Sequence, residues 1–422
     1  MGDPASRPKP AISRREWGLL LLLTAVQFTN VLDFVIIMPL APLAKRDFHI
    51  TSEQFGHAVA VYGFASFVGT LLAAKFLDRF GRKAALLSLY LGFTVSTLFC
   101  GLAPTYETLV IARAVTGLFG GVVGASVMAI IGDVFADYRR GTAMGAVMSA
   151  FAFASIVGVP LGLVLAENFG TGAPFIALAL LSVLIWIGNV VVMPPLREHL
   201  SKGHPPTSLW RLAAEPNHLV AYAFTVFLVL GSFCVVPYLA DSMVANAGQR
   251  IENMKYVYLV AGLFTLVSTN VVGRVADRYG KLRVFRITGL AAIVTILLVT
   301  NLPPIPLWMA IAAATAFMVA TSARMVPAMA LVTRSAAPAV RGGFLSLNAA
   351  VQSAAMGLAS LIGGALVGQT PDGRLPGYPI VGLIAAGSAV LCLLLAGMLR
   401  SAEPAVVNVP AKEEAAVAET AA

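Results

Sequence analysis

Apolar residues fill twelve long runs of the chain, and the short stretches between the runs hold most of the charged side chains. A helix that crosses a lipid bilayer needs about 20 apolar residues, and each run is close to that length or longer. The first run is too long for a cleaved signal peptide. The pattern therefore predicts twelve spanning helices, named spans one to twelve, at 17–43, 55–77, 84–103, 106–131, 142–166, 172–193, 219–241, 256–276, 284–302, 306–332, 344–368 and 378–399.

Composition and charge agree with an all-α membrane protein. The 422 residues are 58% hydrophobic and only 12% charged, about half the charged fraction of a typical soluble domain. A net charge of +9 would suggest nucleic-acid binding in a soluble protein, but these basic residues lie in short loops between apolar runs. We therefore expect no nucleic-acid partner. The expected partners of the chain, taken as a monomer, are the lipid bilayer and a small-molecule substrate.

The basic residues also predict the orientation of the chain. The side of the two termini carries 22 of the 29 Lys and Arg residues, whereas the opposite side carries five. Because short cytoplasmic loops are enriched in Lys and Arg, both termini are expected in the cytoplasm. The expected location is a bacterial inner membrane, which the chain crosses many times.

The two halves of the sequence repeat each other. Three landmarks recur at offsets of 199, 201 and 198 residues, namely D-R-F-G-R-K at 78–83 and D-R-Y-G-K at 277–281, Arg-Gly at 140 and 341, and Pro39 and Pro237. Since an even number of spans separates the copies, the halves are parallel pseudo-repeats. The predicted units are a cytoplasmic tail (1–16), a six-helix bundle (17–193), a cytoplasmic linker (194–218), a second six-helix bundle (219–400) and a disordered cytoplasmic tail (401–422).

The loop between spans two and three, together with its repeat, resembles the G-x-x-x-D-R-x-G-R-R/K loop of the major facilitator superfamily. The first copy is complete except for Ala74 in place of the first glycine, and it consists of Asp78, Arg79, Gly81, Arg82 and Lys83. The second copy consists of Gly273, Asp277, Arg278, Gly280 and Lys281. The resemblance covers nearly the whole chain and implies two parallel six-helix halves that move against each other.

Two further motifs resemble those of the twelve-helix drug:proton antiporters and the related arabinose-efflux-like permeases. Span four holds an L-x-x-x-R-x-x-x-G pattern around Arg113. Span five holds Gly158, Pro160 and Gly162, which are similar to the G-P-x-x-G antiporter motif with Val159 interposed. This resemblance implies an exporter. The proline and glycines would also weaken span five locally, or they serve ordinary close packing.

By the same resemblance, the loop motif is a gate. Asp78 is expected to face the start of span eleven, where a negative charge suits a helix N-terminus. Arg82 is expected to reach Asp133 at the end of span four. These contacts would latch the halves on the cytoplasmic side and favour the outward-open state, while the basic residues also set the topology.

Asp33 and Arg113 are the strongest candidates for proton coupling. Asp33 lies about 24 Å into span one, and a carboxylate at membrane depth suggests a functional site. Its counterpart in the second half is Gly231, so the fold does not need this acid twice. Arg113 lies at a similar depth in span four. The alternative to a coupling role is a permanent salt bridge.

Arg324, Asn30 and Gln352 complete the predicted substrate site. The acids of Arg324's own half all lie at span ends or in loops, so Arg324 reaches the cytoplasmic surface, bonds helix carbonyls or faces the cavity as an anion site. Asn30 shares a face of span one with Asp33, and Gln352 lies in span eleven. A polar side chain of this kind more often makes an interhelical hydrogen bond.

The main functional hypothesis is a proton-coupled secondary active transporter that exports small amphipathic molecules, as multidrug efflux carriers do, by alternating access, with Asp33 carrying the proton. One alternative is a transporter of organic anions, carboxylates or sugar-like metabolites, with Arg324 as the anion site. Another is a transporter-like receptor or lipid scramblase. The sequence contains no hydrolase, P-loop, dinucleotide or metal-binding motif, so we expect no enzyme and no cofactor, with H+ as the coupling ion.

Overall fold

The computed structural model describes residues 13–76, 80–135, 137–194, 209–338 and 340–402. The helices in these ranges include twelve spans that are long and apolar enough to cross a membrane, which confirms the predicted all-α fold. The helices of the spans are Arg14–Ile36, Ser52–Phe76, Arg82–Gly101, Tyr106–Val134, Asp137–Phe153 continued by Val159–Phe169, Ala173–Val192, Pro216–Phe233 continued by Leu239–Ala245, Met254–Tyr279, Lys281–Thr300, Leu307–Arg334, Arg341–Val367 and Tyr378–Ala396.

Local sequence signals determine where several helices begin. Ser13 caps span one, because its side chain accepts a hydrogen bond from the backbone N–H of Glu16 and the Glu16 carboxylate accepts one from the Ser13 N–H. Thr105 and Thr108 cap span four in the same reciprocal way. Spans six, seven and twelve carry proline in their first turn, where a missing N–H leaves no helix hydrogen bond unmade.

One prediction about span one needs correction, because the helix predicted at 17–43 is not continuous. It ends at Ile36, and a separate short helix, Ala41–Phe48, leads to span two. Span seven is broken at the equivalent place. The prolines that mark the sequence repeat, Pro39 and Pro237, lie in the two breaks, and proline cannot donate a helix hydrogen bond.

The predicted linker and tails are described only in part. Within the linker, residues 195–208 lie outside the described residues, and Leu209–Ala214 forms a short helix. Span seven then begins at Pro216, earlier than predicted. Residues 1–12 and 403–422, which include most of both predicted tails, also lie outside the described residues.

The two halves pack together at one end of the bundle. We call the end that holds Ser13 and Ala402 the terminal face, and the opposite end the far face. Towards the far face, one hydrophobic cluster contains buried residues of both halves, for example Ile36 and Val235. Towards the terminal face, the buried apolar residues form two clusters, each within one half. The halves are therefore closed against each other at the far face.

Glycine lets spans two and eleven approach very closely in this closure. A methyl group at Gly63 would lie 2.7 Å from the backbone N of Gly357. One at Gly56 would lie 2.9 Å from the carbonyl oxygen of Ser360 and 3.1 Å from the Cα of Gly364. Such small-residue contacts are a usual source of tight helix association in membranes.

Candidate functional site

Asp33 and Arg113 form an ion pair inside the first half. Arg113 Nη1 donates to Asp33 Oδ2 at 2.8 Å and to the Asp33 carbonyl oxygen at 3.2 Å, and both side chains are fully buried. Thr97 Oγ1 donates to Asp33 Oδ1 at 3.1 Å. The structure thus brings together the two residues that the sequence placed at similar depth. Proton exchange by this carboxylate stays a prediction.

An aromatic ring completes the surroundings of Arg113. Its Nε and Nη2 have no hydrogen-bond partner among the described residues. The guanidinium carbon lies 4.3 Å from the ring centroid of Tyr62 and 5.9 Å from that of Phe175. A cation over a ring face is stabilised by about 2 kcal/mol when both are desolvated. Tyr62 therefore belongs to the site, although nothing in the sequence linked this residue of span two to Arg113.

The glycines of span four hold Tyr62 in this position. A methyl group at Gly117 would lie 2.9 Å from Tyr62 Cα, and one at Gly120 would lie 2.6 Å from Tyr62 Oη. A larger residue at either position would push span two away from the ion pair. Asn30 joins the same group of residues, because its Nδ2 donates to the Gly120 carbonyl oxygen at 3.1 Å.

The two predicted polar substrate contacts differ in their surroundings. Asn30 is buried, and its Oδ1 has no hydrogen-bond partner among the described residues. Gln352 is half-buried in span eleven. Its neighbour Ser353 lies against span two of the other half, 3.3 Å from Ser66 Oγ. Gln352 thus lies beside the contact between the halves, and Asn30 lies close to the ion pair.

Arg324 is buried inside the second half and does not reach the surface. Its Nη2 donates to the Leu228 carbonyl oxygen at 3.1 Å and to Ser232 Oγ at 2.5 Å. Its Nε has no partner, and no carboxylate forms an ion pair with it in the described ranges. Of the three outcomes that the sequence left open, the structure shows bonding to a helix carbonyl and no reach to the surface, and a role as an anion site stays a prediction.

The guanidinium of Arg324 also lies against Gly231, the counterpart of Asp33. A methyl group at Gly231 would lie 3.1 Å from Arg324 Nη2 and 3.3 Å from Nη1. Each half therefore holds a buried arginine beside the same position of its first span. The first half has a carboxylate there, and the second half has no side chain.

The antiporter motif lies against the first span, next to the ion pair. The turn at Ala154–Gly158 is a π-helix, and the α-helix resumes at Val159 with Pro160 in its first turn. A methyl group at Gly158 would lie 2.7 Å from Leu32 Cδ1, and Gly162 packs against Ile36. π-turns within α-helices often occur at functional sites. Span five thus shows both an altered helix geometry and close glycine packing, and a mechanical role for the motif stays a prediction.

The first copy of the loop motif makes part of the contacts that the family resemblance implies. Arg82 Nε lies 2.8 Å from Asp133 Oδ2, and Lys83 Nζ donates to the carbonyl oxygens of Val190 and Met193. Gly81 is the N-cap of span three. Asp78 and Arg79, with the contacts predicted for them, lie outside the described residues. A gating role for the described residues stays a prediction.

The second copy of the motif lies largely at the surface. Gly280 has φ 93°, a conformation that favours glycine, and it separates spans eight and nine. Asp277 and Arg278 are exposed, and Gly273 has no close neighbour, since a methyl group there would lie 3.8 Å from Val326. Among these residues of the second copy, the charged side chains thus face away from the packed interior.

Two ion pairs between the halves were not predicted from the sequence. Lys45 Nζ lies 2.7 Å from Asp241 Oδ2, and both side chains are almost fully buried. Lys255 Nζ lies 3.2 Å from Glu167 Oε2 in a less buried place. The sequence showed these charges at the ends of apolar runs, but partners separated by 196 and 88 positions share no local signal.

Asp47 holds the short helix Ala41–Phe48 to the loop before span six. Its carboxylate accepts hydrogen bonds from Thr171 Oγ1 and from Arg46 Nε. Partial burial raises the pKa of Asp47, but these hydrogen bonds outweigh it, so its pKa lies below the ordinary aspartate value. The far face of the first half therefore includes a carboxylate that favours its charged form.

Comparisons with known proteins agree with this architecture. The family model described as "Major Facilitator Superfamily" matches residues 23–245 and 222–422. Over 366 residues the chain is 26% identical to "Uncharacterized MFS-type transporter YceJ" of Bacillus subtilis (strain 168), covering 85% of this chain and 92% of that protein. Over 248 residues it is 26% identical to the synaptic vesicular amine transporter of Mus musculus, covering 58% of this chain and 47% of that protein.

A solved structure has the same fold. The bacterial homolog of the human lysosomal transporter Spinster, in an inward-facing and occupied conformation, superposes with a TM-score of 0.71 at 15% sequence identity. The superposition covers 92% of this chain and 97% of that chain. Because the family model matches almost the whole chain and twelve spans form two packed halves, the chain belongs to the major facilitator superfamily of membrane transporters.

Proposed function

We propose that the chain is a proton-coupled exporter of small amphipathic molecules that works by alternating access, with Asp33 as the proton carrier. It acts as a monomer in a bacterial inner membrane and needs no cofactor, since H+ is the coupling ion. The excess of Lys and Arg on the terminal face supports a cytoplasmic position for that face. In this orientation the closed far face is the outside, and the structure corresponds to an inward-facing state.

The buried Asp33–Arg113 pair is the observation that carries this proposal. The equivalent position in the second half is Gly231, so a carboxylate is not needed there to build the fold. Protonation of Asp33 would leave Arg113 uncompensated in a low dielectric, at a cost of about 3 kcal/mol or more. A proton would therefore change which conformation is the more stable, as a proton-coupled carrier requires.

The surroundings of the pair support an amphipathic substrate. Phe34, whose ring contacts that of Tyr62, and its neighbour Phe233 are half-buried aromatic side chains. The Oδ1 of Asn30 is a hydrogen-bond acceptor to which no described residue donates. One relative is an amine transporter by its name. An organic amine would pair its cationic group with Asp33 in place of the proton and its apolar body with the rings.

The test is transport by the purified chain in liposomes that contain a pH-sensitive dye. Ethidium serves as a cationic amphipathic probe, and an imposed proton gradient drives its transport. We expect ethidium flux to be coupled to proton movement in the native chain, and Asp33→Asn to abolish that coupling. Glu107→Gln, an exposed acid of span four, is the matched control and should transport at the native rate.

The outcomes separate this proposal from its competitors. Gradient-driven transport at the native rate by Asp33→Asn would exclude Asp33 as the proton carrier. Ethidium binding without any flux would favour a transporter-like receptor, and scrambling of a fluorescent phospholipid would favour a scramblase.

Transport of organic anions is a second candidate function, supported by the buried Arg324. In the described part of the second half, the hydrogen-bond partners of its guanidinium are all neutral. An anion would therefore be its natural counter-charge. Uptake of a labelled aliphatic carboxylate that is lost in Arg324→Ala but retained in Glu107→Gln would support this candidate. Unchanged uptake in Arg324→Ala would contradict it.

The loop motif would act as the cytoplasmic latch of this cycle. In the inward-facing state Arg82 keeps its contact with Asp133 inside the first half. On closure of the terminal face, this pair and Asp78 of the same loop would present charges to the start of span eleven. Asp133→Asn is therefore expected to slow turnover with little effect on substrate affinity.

A further inference from the structure

Two phenylalanines, one from the first span of each half, meet where the halves join. Phe34 lies near the end of the helix of span one, and Phe233 is the last residue of the first helix of span seven. Their ring centroids lie 5.9 Å apart across the boundary between the halves. The pair is therefore a direct contact between the halves in the closed part of the bundle.

The ring of Phe34 also contacts the ion-pair site. Its centroid lies 5.3 Å from that of Tyr62, and the Tyr62 ring lies under the guanidinium of Arg113 at 4.3 Å. Three successive contacts thus lead from Arg113 in the first half to Phe233 in the second half. Tyr62, Phe34 and Phe233 are named the aromatic relay.

The relay is rigid at the end that meets the ion pair. Tyr62 is 5% exposed, and the glycines of span four leave no room for its ring or backbone to shift towards that helix. Besides Asp33 and Arg113, the titratable groups around the pair are Tyr62 itself and Cys100 of span three. A change in the charge of Asp33 would thus first alter the position of Arg113 and then the packing of the Tyr62 ring below it.

The end of the relay that meets the ion pair has no equivalent in the second half. At the offset of 199 residues the counterpart of Tyr62 is Ala261, and that of Arg113 is Ala312. The second half contributes only Phe233, which has no equivalent buried ion pair next to it among the described residues. This asymmetry argues against a role in general helix packing, which both halves would need equally.

We propose that the aromatic relay transmits the charge state of Asp33 to the contact between the halves, with Tyr62 as the positioning residue. While Asp33 is charged, Arg113 stays on the Tyr62 ring, the ring stays against Phe34, and the far face stays closed. Neutral Asp33 releases Arg113 and loosens the stack. The inference rests on the proposed function, and it explains how an empty, deprotonated carrier would be kept from opening outwards and wasting the proton gradient.

Hydrogen exchange of the full chain in lipid nanodiscs, measured by mass spectrometry, tests this coupling without a substrate. The reporters of far-face opening are the peptides that contain Ala41–Phe48 and Leu239–Ala245. We expect Asp33→Asn to raise their exchange about thirtyfold, since the loss of one desolvated cation–π contact is of that order. Peptides at the terminal face should become more protected at the same time, which local unfolding would not cause.

The decisive variant is Tyr62→Leu, alone and combined with Asp33→Asn. Tyr62→Leu alone should also raise far-face exchange, and the added Asp33→Asn should then change it less than about twofold, because the route is already broken. Tyr62→Phe keeps the ring and should keep the native response to Asp33→Asn. Phe93→Leu, which removes a fully buried ring from another cluster of the first half, is the matched control and should also keep it.

Two results would overturn the relay. One is a full response to Asp33→Asn in the Tyr62→Leu background. The other is no far-face response to Asp33→Asn in the native background. The transport assay of Asp33→Asn separates these failures from failure of the proposed function. If Asp33→Asn abolishes proton coupling but still changes the exchange in the Tyr62→Leu background, Asp33 remains the proton carrier and the relay is rejected.

Discussion

Lys45 Nζ lies 2.7 Å from Asp241 Oδ2, and this buried ion pair joins the two halves of the transporter at the far face. Lys45 also donates to Ser52 Oγ at 2.9 Å. The two charges come from the short helical extensions that follow the breaks of spans one and seven. Because these extensions must separate when the far face opens, the pair is broken and remade in each transport cycle that we propose.

Removal of one partner should open the far face. Asp241→Asn leaves Lys45 buried without a counter-charge, which disfavours the closed state by about 3 kcal/mol. Nitroxide labels at the exposed positions Glu107 and Arg374, one on each half, should then show longer label-to-label distances in pulsed electron–electron double resonance. The exchange of the two charges, Lys45→Asp with Asp241→Lys, should restore the native distance distribution. A native distribution in Asp241→Asn alone would contradict a latch at this pair.

The close approach of spans two and eleven predicts a steric effect of one methyl group. Gly63→Ala places a Cβ 2.7 Å from the backbone N of Gly357, so the helices must separate and closure is weakened by about 1–3 kcal/mol. The same substitution at Gly145 is the control, because a methyl group there would have no described neighbour within 4 Å. Gly145→Ala should raise the Tm slightly because alanine favours helix, whereas Gly63→Ala should lower it. A fall of equal size in both variants would argue against the close contact.

The empty position beside Arg324 predicts a strong coupling between two substitutions. Gly231→Asp adds a carboxylate next to the buried guanidinium and recreates in the second half the arrangement of Asp33 and Arg113. We expect Gly231→Asp to lower the free energy of unfolding by about 3 kcal/mol more in an Arg324→Met background than in the native background. The reason is that the new acid is buried without a counter-charge when the arginine is absent.

Gly231→Ala controls for the steric part of that change, since its added methyl group also contacts the Ala385 carbonyl oxygen. The measurement is chemical denaturation in detergent for the complete double-mutant cycle. Additive effects of Gly231→Asp and Arg324→Met would show that the guanidinium does not reach the new acid. If the anion-transport candidate is correct, Gly231→Asp should also block carboxylate uptake.

The lowered pKa of Asp47 predicts an acid-dependent loss of stability. A group whose pKa is lower in the folded state stabilises the fold above its unfolded pKa of about 3.9, and this contribution disappears as the pH falls through the folded value. Asp47→Asn should therefore lower stability by about 1 kcal/mol at neutral pH, and the difference from the native chain should shrink progressively as the pH falls below about 4. Thermal unfolding from pH 3 to 7 measures this, with exposed Asp372→Asn as the control. A stability difference between Asp47→Asn and the native chain that grows as the pH falls would contradict this prediction.

Hydropathy, composition and spacing are sufficient to determine the class and fold of this protein. Twelve apolar runs, the repeat at about 200 residues and the D-R-x-G loops are local or evenly spaced features, and they predict helices in a bilayer because every backbone polar group there must bond within its own helix. Asp33 and Arg113 could also be found in this way, since a charge inside an apolar run is conspicuous whatever its partner.

Tertiary structure alone decided which of these residues meet. The breaks of spans one and seven, the Lys45–Asp241 pair, the ring of Tyr62 under Arg113 and the contact of Arg324 with the counterpart of Asp33 all depend on packing between residues far apart in sequence. Helix periodicity fixes the face on which a side chain lies, but the rotation and tilt of each span depend on packing against its neighbours. The sequence therefore determined the membrane topology and the candidate charges, whereas packing between helices decided how these charges are paired and linked across the two halves.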